Sequence, residues 1–600
     1  ERSLPLPFPM STELPRPIDD GDSKKTIAEG GRQFATIVQS RRTYCSFRWL
    51  AVGVTILICF LLCQYLPRPS TITVDTPRGR VVGFHVSLKP NPLSDHPASG
   101  NVFLGIPYVH PPIGKRRFKR PEPLLSYGRT PLQANKLRPA CPQHSDTIKV
   151  ETSEDCLYLN VITPSNATSH HQLYPVMVYI HGGSLNSGFS SLMDHQGLIR
   201  NLVRHGVVVV QIQYRIGALG FFNTGTEDFP SNLGMLDQVE ALRWVQSEIA
   251  HFGGDPNRVT LFGNSAGAAS ISVHTYSPLS RGLFHSIILQ SGSVLTCLDG
   301  TLGNTDPSRA FAEMMCNFTS SDWDRREFSR LHDCLHSMDA TAITEFEKGN
   351  YFGWKMVQDP SFLPSTPQKL APTRQNVPVL VGSMRDEFYY FMKKMEKHGL
   401  PSGLPLLPLI TSLVIHDKTQ LQTLLPLMMA EYGNASSLEA ELKATSDALT
   451  AGAFVAPMQK DIRQWIENGN SDIFIYEIIH PSHVIGFKPM GDWDPAVHSG
   501  ELPYISASSF FWDMALANNW TTPEDFPLME WMGEAWTNFA ISGIPSTSWD
   551  PVSLSSHRLP YLEISTTGRR MKPDYRSSDE RFWNEKVREI LGELPKQKVF

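Results

Sequence analysis

The stretch that most constrains the fold of this chain is residues 263–267, Gly-Asn-Ser-Ala-Gly, which follows an apolar run at 259–262. In a nucleophile elbow, a serine lies at the tip of a tight turn between a strand and a helix, with small residues two positions away on each side. The apolar run predicts the strand, and the small residues after 267 let a helix begin close to the sheet. A plain glycine turn is the alternative. The context favours the elbow, with Ser265 as a nucleophile for acyl transfer.

A serine hydroxyl needs a base that takes its proton and an acid that orients the base. In hydrolases with this elbow the chain order is serine, acid, histidine. Residues 377–381, Val-Pro-Val-Leu-Val, predict a buried strand, and Asp386 and Glu387 follow it. Because the carboxyl ends of parallel strands share one edge of a sheet, Glu387 is predicted as the acid, with Asp386 as second choice. His498, in a loop of turn-forming residues, is predicted as the base.

A tetrahedral intermediate also requires hydrogen-bond donors for its oxyanion. Residues 174–180, Tyr-Pro-Val-Met-Val-Tyr-Ile, predict a buried strand that opens into His-Gly-Gly-Ser-Leu at 181–185. The backbone N–H groups of Gly183, Ser184 and Ala266 are the predicted oxyanion donors. A plain glycine turn is again the alternative.

Several blocks of sequence resemble the type B carboxylesterases and cholinesterases, a family with the α/β-hydrolase fold. They lie at 103–108, 111–114, 154–160, 252–257 and 536–545, and the resemblance covers nearly everything after about residue 75. It implies an α/β fold with a large, mostly parallel central sheet and helices on both faces. Carried over by position, it makes Ser265 the nucleophile, Glu387 the acid and His498 the base, with Gly183, Ser184 and Ala266 as the oxyanion donors.

Four positions in the predicted site depart from the family pattern. Asn264 stands where glutamate is usual before the nucleophile, and Ser184 where glycine or alanine is usual. Phe388 and Ser499 replace the glycines after the acid and the base. The segment 142–155 contains no aromatic residue that could bind a quaternary ammonium, and Asn264 carries no charge. Neutral carboxylic esters or lipid-like acyl groups are therefore better predicted substrates than choline esters.

Cysteine and asparagine positions bear on the compartment. The resemblance implies disulfides Cys141–Cys156 and Cys316–Cys334, which persist in an oxidising environment. Cys297 is either a free thiol or an alternative partner for Cys316. Tripeptides that accept N-linked glycans begin at Asn166, Asn317, Asn434 and Asn519, all after the apolar run described next.

Residues 49–66 form an apolar run that as a helix nearly crosses the hydrocarbon core of a bilayer, and Arg41, Arg42 and Arg48 precede it. The run predicts a transmembrane signal anchor with the amino terminus in the cytoplasm. The predicted organisation is a disordered cytoplasmic tail at 1–48, the anchor at 49–66, a linker at 67–78 and the hydrolase domain at 79–600. The expected product is a single-pass type II membrane protein with its catalytic domain extracellular or luminal.

Two functions from different classes follow. The first is a membrane-anchored serine carboxylesterase that acts on small-molecule or lipid-like esters through an acyl-enzyme. The second is an adhesion or receptor protein of the neurotactin or neuroligin type, which would bind a protein partner on the extracellular face. All three predicted triad side chains are present, which favours the enzyme. A net charge of −5 gives no basic field for nucleic acid, and no motif indicates a metal or a cofactor.

Overall fold

The structure, a computed structural model, describes residues 70–144, 150–167, 172–298, 304–349, 353–397, 406–414, 418–433, 435, 437–555, 557–565 and 567–592. The chain divides into two units, Glu1–Arg68 and Pro69–Phe600, and every described residue belongs to the second. The predicted tail and anchor, as well as Asn434, lie outside the described residues. No helix in the described ranges is both long enough and apolar enough to span a bilayer.

One large sheet organises the described unit. Its strands are β1 (Thr71–Thr76), β2 (Gly79–Leu88), β3 (Ala98–Pro107), β4 (Leu132–Gln133), β5 (Tyr158–Pro164), β6 (Tyr174–Ile180), β7 (Val208–Ile212), β8 (Gly254–Asn264), β9 (Ser286–Gln290), β10 (Val379–Met384), β11 (Ile473–Ile478), β12 (Tyr561–Ser565) and β13 (Gly568–Lys572).

Helices fill the connections between the strands. The α-helices are α1 (His195–Asn201), α2 (Gly217–Phe221), α3 (Leu233–Glu248), α4 (Ala266–His274), α5 (Val294–Leu298), α6 (Asp306–Cys316), α7 (Ser320–Arg325), α8 (Ser329–Ser337), α9 (Ala340–Gly349), α10 (Pro367–Leu370), α11 (Tyr389–Lys397), α12 (Leu406–Val414), α13 (Lys418–Tyr432), α14 (Leu438–Thr450), α15 (Ala456–Glu467), α16 (Leu502–Ser506), α17 (Ser509–Ala517), α18 (Asp525–Ser542), α19 (Ser577–Asp579) and α20 (Arg588–Leu591). Two π-helical stretches lie at Ala451–Val455 and Glu580–Val587.

The sheet has a parallel centre and antiparallel ends. Its strand order is β1-β2-β3-β5-β7-β6-β8-β9-β10-β11-β12-β13, and β4 pairs with β2 beside this path. Strands from β7 to β12 along this order run parallel, whereas β1, β2, β3 and β5 at one end and β13 at the other pair antiparallel. The mostly parallel centre with helices around it is the predicted fold, and the carboxyl ends of β6, β8 and β10 share one edge.

Successive residues of the central strands pack on opposite faces of the sheet, as strand geometry requires. On β6, Val176 and Val178 join one core cluster and Met177 and Tyr179 the other. The first cluster includes side chains of α3, α4 and α15, and the second includes side chains of α1 and α18. Because both faces of the sheet are buried, the sequences of these strands are continuous apolar runs.

The amino-terminal edge of the sheet begins earlier than the sequence indicates. Residues 71–76, which the sequence analysis assigns to a linker, form strand β1 and pair with β2 along their whole length. Val74 is buried in this strand and packs into the core cluster that contains α3 and α4. The alternation of buried and exposed residues in β1 is short, and the polar threonines around Val74 hide it in the sequence.

Candidate active site

Ser265 lies between the last residue of β8 and the first residue of α4, in the predicted strand-turn-helix form. Its backbone has φ 59° and ψ −125°, a conformation that costs a residue with a side chain about 1–3 kcal/mol. The N–H of Ser265 donates to the carbonyl of Gln290 at 2.8 Å, and its carbonyl accepts from the N–H of Ala269 at 2.9 Å. The sheet and the helix thus hold the strained turn in place.

The glycines on either side of Ser265 are required by the neighbouring strand β6. A Cβ atom on Gly263 would lie 2.4 Å from the carbonyl oxygen of Ile180, and one on Gly267 would lie 2.2 Å from the same atom. Both distances are far below van der Waals contact. The small residues that reveal the elbow in the sequence therefore let α4 pass directly over the end of β6.

Glu387 and His498 form a buried pair. Oε2 of Glu387 lies 2.5 Å from Nδ1 of His498, and the two residues are 0% and 3% exposed. The other carboxylate oxygen of Glu387 accepts from the N–H of Met384 at 2.8 Å, which fixes the carboxylate at the end of β10. An acid held on one imidazole nitrogen leaves Nε2 as the nitrogen available to a reacting group.

Asp386, the second choice for the acid, has a different set of partners. Its carboxylate accepts from the Trp493 indole N–H at 3.3 Å and from the Ala496 N–H at 2.8 Å, and it pairs with Arg385. These bonds anchor the segment that leads to His498. Of the two neighbouring carboxylates, the structure brings only Glu387 to the imidazole.

A polar network joins the elbow to the histidine loop. The hydroxyl of Ser499 donates to the side-chain oxygen of Asn264 at 2.9 Å. The amide of Asn264 donates to Oε1 of Glu501 at 2.7 Å, and the amide of Gln290 donates to the same oxygen at 3.1 Å. Ser265 and His498 are each next in sequence to a member of this network. The network therefore holds the loop that carries His498 against the elbow.

Glu501 is fully buried, and burial together with the nearby Glu387 carboxylate raises its pKa. Neither Glu501 nor Gln290 belongs to a sequence pattern that predicts a role in the site. The signal for Glu501 was its position three residues after His498, but an acidic residue in a loop is usually solvated. Gln290 ends the parallel strand next to β8, and only the sheet order brings it to the elbow.

The predicted oxyanion loop follows β6 and has an unusual backbone. Gly183, Ser184 and Leu185 have φ values of 116°, 56° and 61°. The carbonyl of Gly183 accepts from the N–H groups of Asn186 and Ser187, both at 3.0 Å, so the loop folds back on itself. A Cβ atom on Gly182 would lie 3.2 Å from Cβ of Ser265, which places the loop directly against the elbow.

The third predicted oxyanion donor is the N–H of Ala266. Ala266 is the first residue of α4, where a backbone N–H has no acceptor within the helix. The positive end of the helix dipole lies at the same point and favours a negative charge there. The oxyanion loop and the start of α4 thus meet beside Ser265.

Two contacts support the oxyanion loop from outside. The His181 ring stacks on Tyr214 with centroids 4.3 Å apart, and burial lowers its pKa to about 4, so the imidazole is neutral at physiological pH. The side chain of Gln143 donates to the carbonyl of Gly188 at 2.9 Å and accepts from its N–H at 2.8 Å. Gln143 lies two residues after Cys141. The loop closed by the first disulfide is therefore hydrogen-bonded to the segment that follows the oxyanion loop.

Aromatic rings surround the imidazole of His498. The ring centroids of Phe454, Phe391 and Tyr390 lie 5.0, 5.1 and 6.0 Å from that of His498. Phe388, a departure from the family pattern, begins the aromatic run 388–391, Phe-Tyr-Tyr-Phe, which follows the acid directly. The N–H of Phe388 donates to the hydroxyl of Thr450 at 3.0 Å, and this bond ties the run to α14.

Both expected disulfides are present. Cys141 bonds to Cys156 and Cys316 bonds to Cys334, each with an S–S distance of 2.07 Å. The partner of Cys316 is therefore Cys334 rather than Cys297. Of the predicted glycosylation acceptors, Asn166, Asn317 and Asn519 are exposed. In the described part of the chain, no group of three His, Cys, Asp or Glu side chains is arranged to hold a metal ion.

Comparison with known proteins identifies the family. The model of the carboxylesterase family matches residues 70–583. The chain belongs to the carboxylesterase family. This carboxylesterase is 32% identical to the acylcarnitine hydrolase of Mus musculus over 90% of its own length and 96% of the relative's. It is 33% identical to carboxylesterase 3B of Mus musculus, over 92% and 98% of the two chains.

A third relative is the medium-chain fatty acyl-CoA hydrolase precursor of Anas platyrhynchos, which is 31% identical over 91% of this carboxylesterase and 96% of the relative. These similarities over almost the whole chain establish a carboxylic ester hydrolase. The neurotactin-like arrangement, with an anchor ahead of the domain, stays a prediction.

Proposed function

We propose that this carboxylesterase hydrolyses neutral carboxylic esters through an acyl-enzyme on Ser265. Glu387 orients His498, His498 acts as the base and then as the acid, and the N–H groups of Gly183, Ser184 and Ala266 stabilise the oxyanion. The observation that carries this proposal is the buried 2.5 Å contact between Glu387 Oε2 and His498 Nδ1. A carboxylate in that position fixes the tautomer and stabilises the imidazolium that forms during the reaction.

In the first half of the reaction, the hydroxyl of Ser265 attacks the ester carbonyl carbon and its proton passes to Nε2 of His498. The tetrahedral oxyanion collapses, and the leaving alkoxide takes the proton from His498. In the second half, water loses a proton to His498 and attacks the acyl-enzyme, and Ser265 regains its proton as the acid product leaves. The strained backbone of Ser265 keeps its hydroxyl at the apex of the elbow throughout.

Two features support a neutral or lipid-like substrate. The rings of Phe391 and Phe454 give the surroundings of the imidazole an apolar character, and both are only 8% exposed. Asn264 carries no negative charge beside Ser265, and its side-chain amide donates a hydrogen bond to Glu501. Two of the named relatives, described as hydrolases of acylcarnitine and of fatty acyl-CoA, support the acyl part of this assignment, although the leaving groups of those substrates are charged. Esters of fatty or other apolar acids are the proposed class.

A fluorophosphonate probe tests the role of Ser265. We expect the protein to hydrolyse p-nitrophenyl acetate, to be labelled by the probe at Ser265, and to lose both properties in Ser265→Ala. The matched control is Ser270→Ala, which lies in the same helix, where its hydroxyl only donates to the carbonyl of Ala266. Failure of a folded wild-type protein to react with the probe would remove Ser265 from the mechanism.

We further propose that residues 49–66 anchor the protein as a single-pass type II membrane protein with the hydrolase domain luminal or extracellular. The two disulfides and the exposed acceptors Asn166, Asn317 and Asn519 support this orientation. Expressed in mammalian cells, the full chain should resist extraction by alkaline carbonate and should lose mass on treatment with an N-glycosidase. Release into the carbonate supernatant, or no change in mass, would contradict the proposal.

A further inference from the structure

A lysine lies one aromatic ring away from the proposed catalytic base. Nζ of Lys394 is 4.6 Å from the ring centroid of Tyr390, and that centroid is 6.0 Å from the imidazole centroid of His498. Tyr390 and Lys394 are both on α11, four residues apart, and therefore on the same face of the helix. The ammonium lies over one face of this ring, and the face of an aromatic ring attracts cations.

The contacts from the imidazole through Tyr390 to Lys394 lead outwards to solvent. His498 is 3% exposed and Phe391 and Phe454 are 8% exposed, whereas Tyr390 is half-buried and Lys394 is exposed. The aromatic walls are thus closed on the side of Phe391 and Phe454. Of the groups in this series of contacts, Tyr390 and Lys394 are the ones that solvent reaches.

The leaving alcohol is the part of the substrate that the imidazole must approach. In the proposed mechanism His498 gives its proton to the leaving oxygen, so that oxygen comes within hydrogen-bond distance of the imidazole. Substituents on the alcohol then lie against the rings that contact the imidazole. The cation that contacts the Tyr390 ring is the ammonium of Lys394.

No carboxylate in the described part of the chain neutralises this ammonium through an ion pair. The neighbouring Lys393, in contrast, pairs with Glu396 at 2.5 Å. Among the described residues, Lys393 therefore has a carboxylate partner, whereas Lys394 forms no ion pair and contacts Tyr390.

We propose that Lys394 determines the charge preference of the leaving-group side, disfavouring alcohols that carry a cation and favouring alcohols that carry a carboxylate. This inference rests on the proposed function, because it uses His498 as the acid that protonates the leaving group. It extends that function by naming the residue that excludes cationic esters and by adding anionic alcohols to the substrates.

Three thioacetates of similar size test the proposal with one assay for the released thiol. Acetylthiocholine carries a cation, 3,3-dimethylbutyl thioacetate is its neutral isostere, and 3-(acetylthio)propanoate carries a carboxylate. In Lys394→Gln at low ionic strength, we expect kcat/KM for the cationic ester relative to the neutral one to rise about 3- to 10-fold over wild type, and the anionic-to-neutral ratio to fall by a similar factor. Added 1 M salt should shrink both changes.

Lys393→Gln is the matched control, because it removes the same charge from the adjacent residue. We expect it to change either ratio less than twofold. Ratios that stay within twofold of wild type in Lys394→Gln, or that shift equally in both variants, would overturn the proposal.

If wild-type protein hydrolyses none of the three esters, the proposed function fails first. The charge preference is then decided by the affinities of choline, 3,3-dimethylbutanol and 3-hydroxypropanoate for wild type and Lys394→Gln, measured by saturation-transfer NMR. The criterion is the same: choline must gain affinity relative to the neutral alcohol when Lys394 is removed, and equal affinities in both proteins would overturn the proposal.

Discussion

The side chains of Asn264 and Ser499 are joined by a 2.9 Å hydrogen bond between the Ser499 hydroxyl and the Asn264 amide oxygen. Asn264 precedes Ser265, and Ser499 follows His498. Each departs from the family pattern, and from the sequence alone each would be expected to disturb the catalytic site separately. In the structure they are partners in one contact, which links the segments that bear the proposed nucleophile and base.

A double-mutant cycle measures this link. We expect Asn264→Ala and Ser499→Ala each to lower kcat about tenfold, because either change frees the histidine loop from the elbow. In the double variant the losses should be less than additive, with a coupling free energy of about 1 kcal/mol in denaturant unfolding. Fully additive losses in both kcat and unfolding free energy would show that the hydrogen bond contributes nothing.

Restoring the family residue at position 264 should harm this protein. Asn264→Glu places a second carboxylate against the buried Oε1 of Glu501, which now accepts from the Asn264 amide. The added carboxyl has a raised pKa in the folded state, so it destabilises above its unfolded pKa near 4.3 and the penalty disappears as pH falls below that value. We expect a loss of about 2 kcal/mol at pH 7 in urea unfolding.

Asn264→Gln, which keeps an amide at this position, is the control for that substitution. Its unfolding free energy should change by the same amount at pH 7 and at pH 4. A loss that is independent of pH in Asn264→Glu would point to steric strain instead of charge.

The acid that orients the base can be identified by comparing two neighbours. Glu387→Gln should lower kcat by a factor on the order of a thousand or more, because an amide cannot stabilise the imidazolium. Asp386→Asn should have a much smaller effect on kcat and a larger effect on stability, since Asp386 anchors Trp493 and Ala496. Steady-state kinetics and thermal unfolding of both variants provide the test, and equal losses of kcat would contradict the assignment.

The elbow should tolerate no side chain at position 267. A Cβ atom there would lie 2.2 Å from the carbonyl oxygen of Ile180, which belongs to backbone that cannot move aside. Gly267→Ala is expected to cost 3 kcal/mol or more, about the upper end of overpacking effects, and to lower soluble expression. Ala269→Gly in the same helix should cost only about 1 kcal/mol. Wild-type unfolding behaviour in Gly267→Ala would refute the close approach of α4 to β6.

Buried histidines should make the fold sensitive to acid. Nδ1 of His274 contacts Ser280 Oγ at 2.6 Å and Nε2 contacts Gln238 Oε1 at 2.9 Å, and burial lowers its pKa to about 3. The unfolded chain takes up this proton near pH 6.5, so stability is complete above that pH and is lost as pH falls towards 3. The loss from this residue alone is about 2 kcal/mol by pH 5.

The number of protons taken up on unfolding checks this prediction. Urea titrations between pH 5 and pH 7 should show about one proton fewer for His274→Asn than for wild type. The exposed His251 provides the control substitution, His251→Asn, which should leave the count unchanged. An unchanged count in His274→Asn would mean that this histidine is already protonated in the fold.

Local patterns predicted the parts of the molecule that local sequence determines. The runs before Ser265 and before the oxyanion loop are strands β8 and β6, and β6 has the predicted bounds of 174–180. The run 377–381 begins two residues before β10, which spans Val379–Met384. These strands are buried on both faces, so their apolar character is continuous and easily recognised.

The parts that depend on long-range packing could not be predicted. Glu501 meets Asn264 across 237 positions in the chain, and only the folded sheet brings them together. Phe454 reaches His498 from a π-helical stretch whose sequence resembles an ordinary helix. The choice between Glu387 and Asp386 likewise depends on which carboxylate the turn after β10 directs towards the histidine loop.

Two hydrogen bonds between Gln143 and Gly188 connect the Cys141–Cys156 disulfide loop to the segment that follows the oxyanion loop. Gln143 is held by the small ring that Cys141 and Cys156 close, and it grips the segment just beyond the oxyanion loop with two hydrogen bonds. Reduction of the disulfide would free Gln143 and weaken its two hydrogen bonds to Gly188. The residues Ser265, Glu387 and His498 would be unchanged. We therefore expect turnover to fall in a reducing environment while the sheet remains intact.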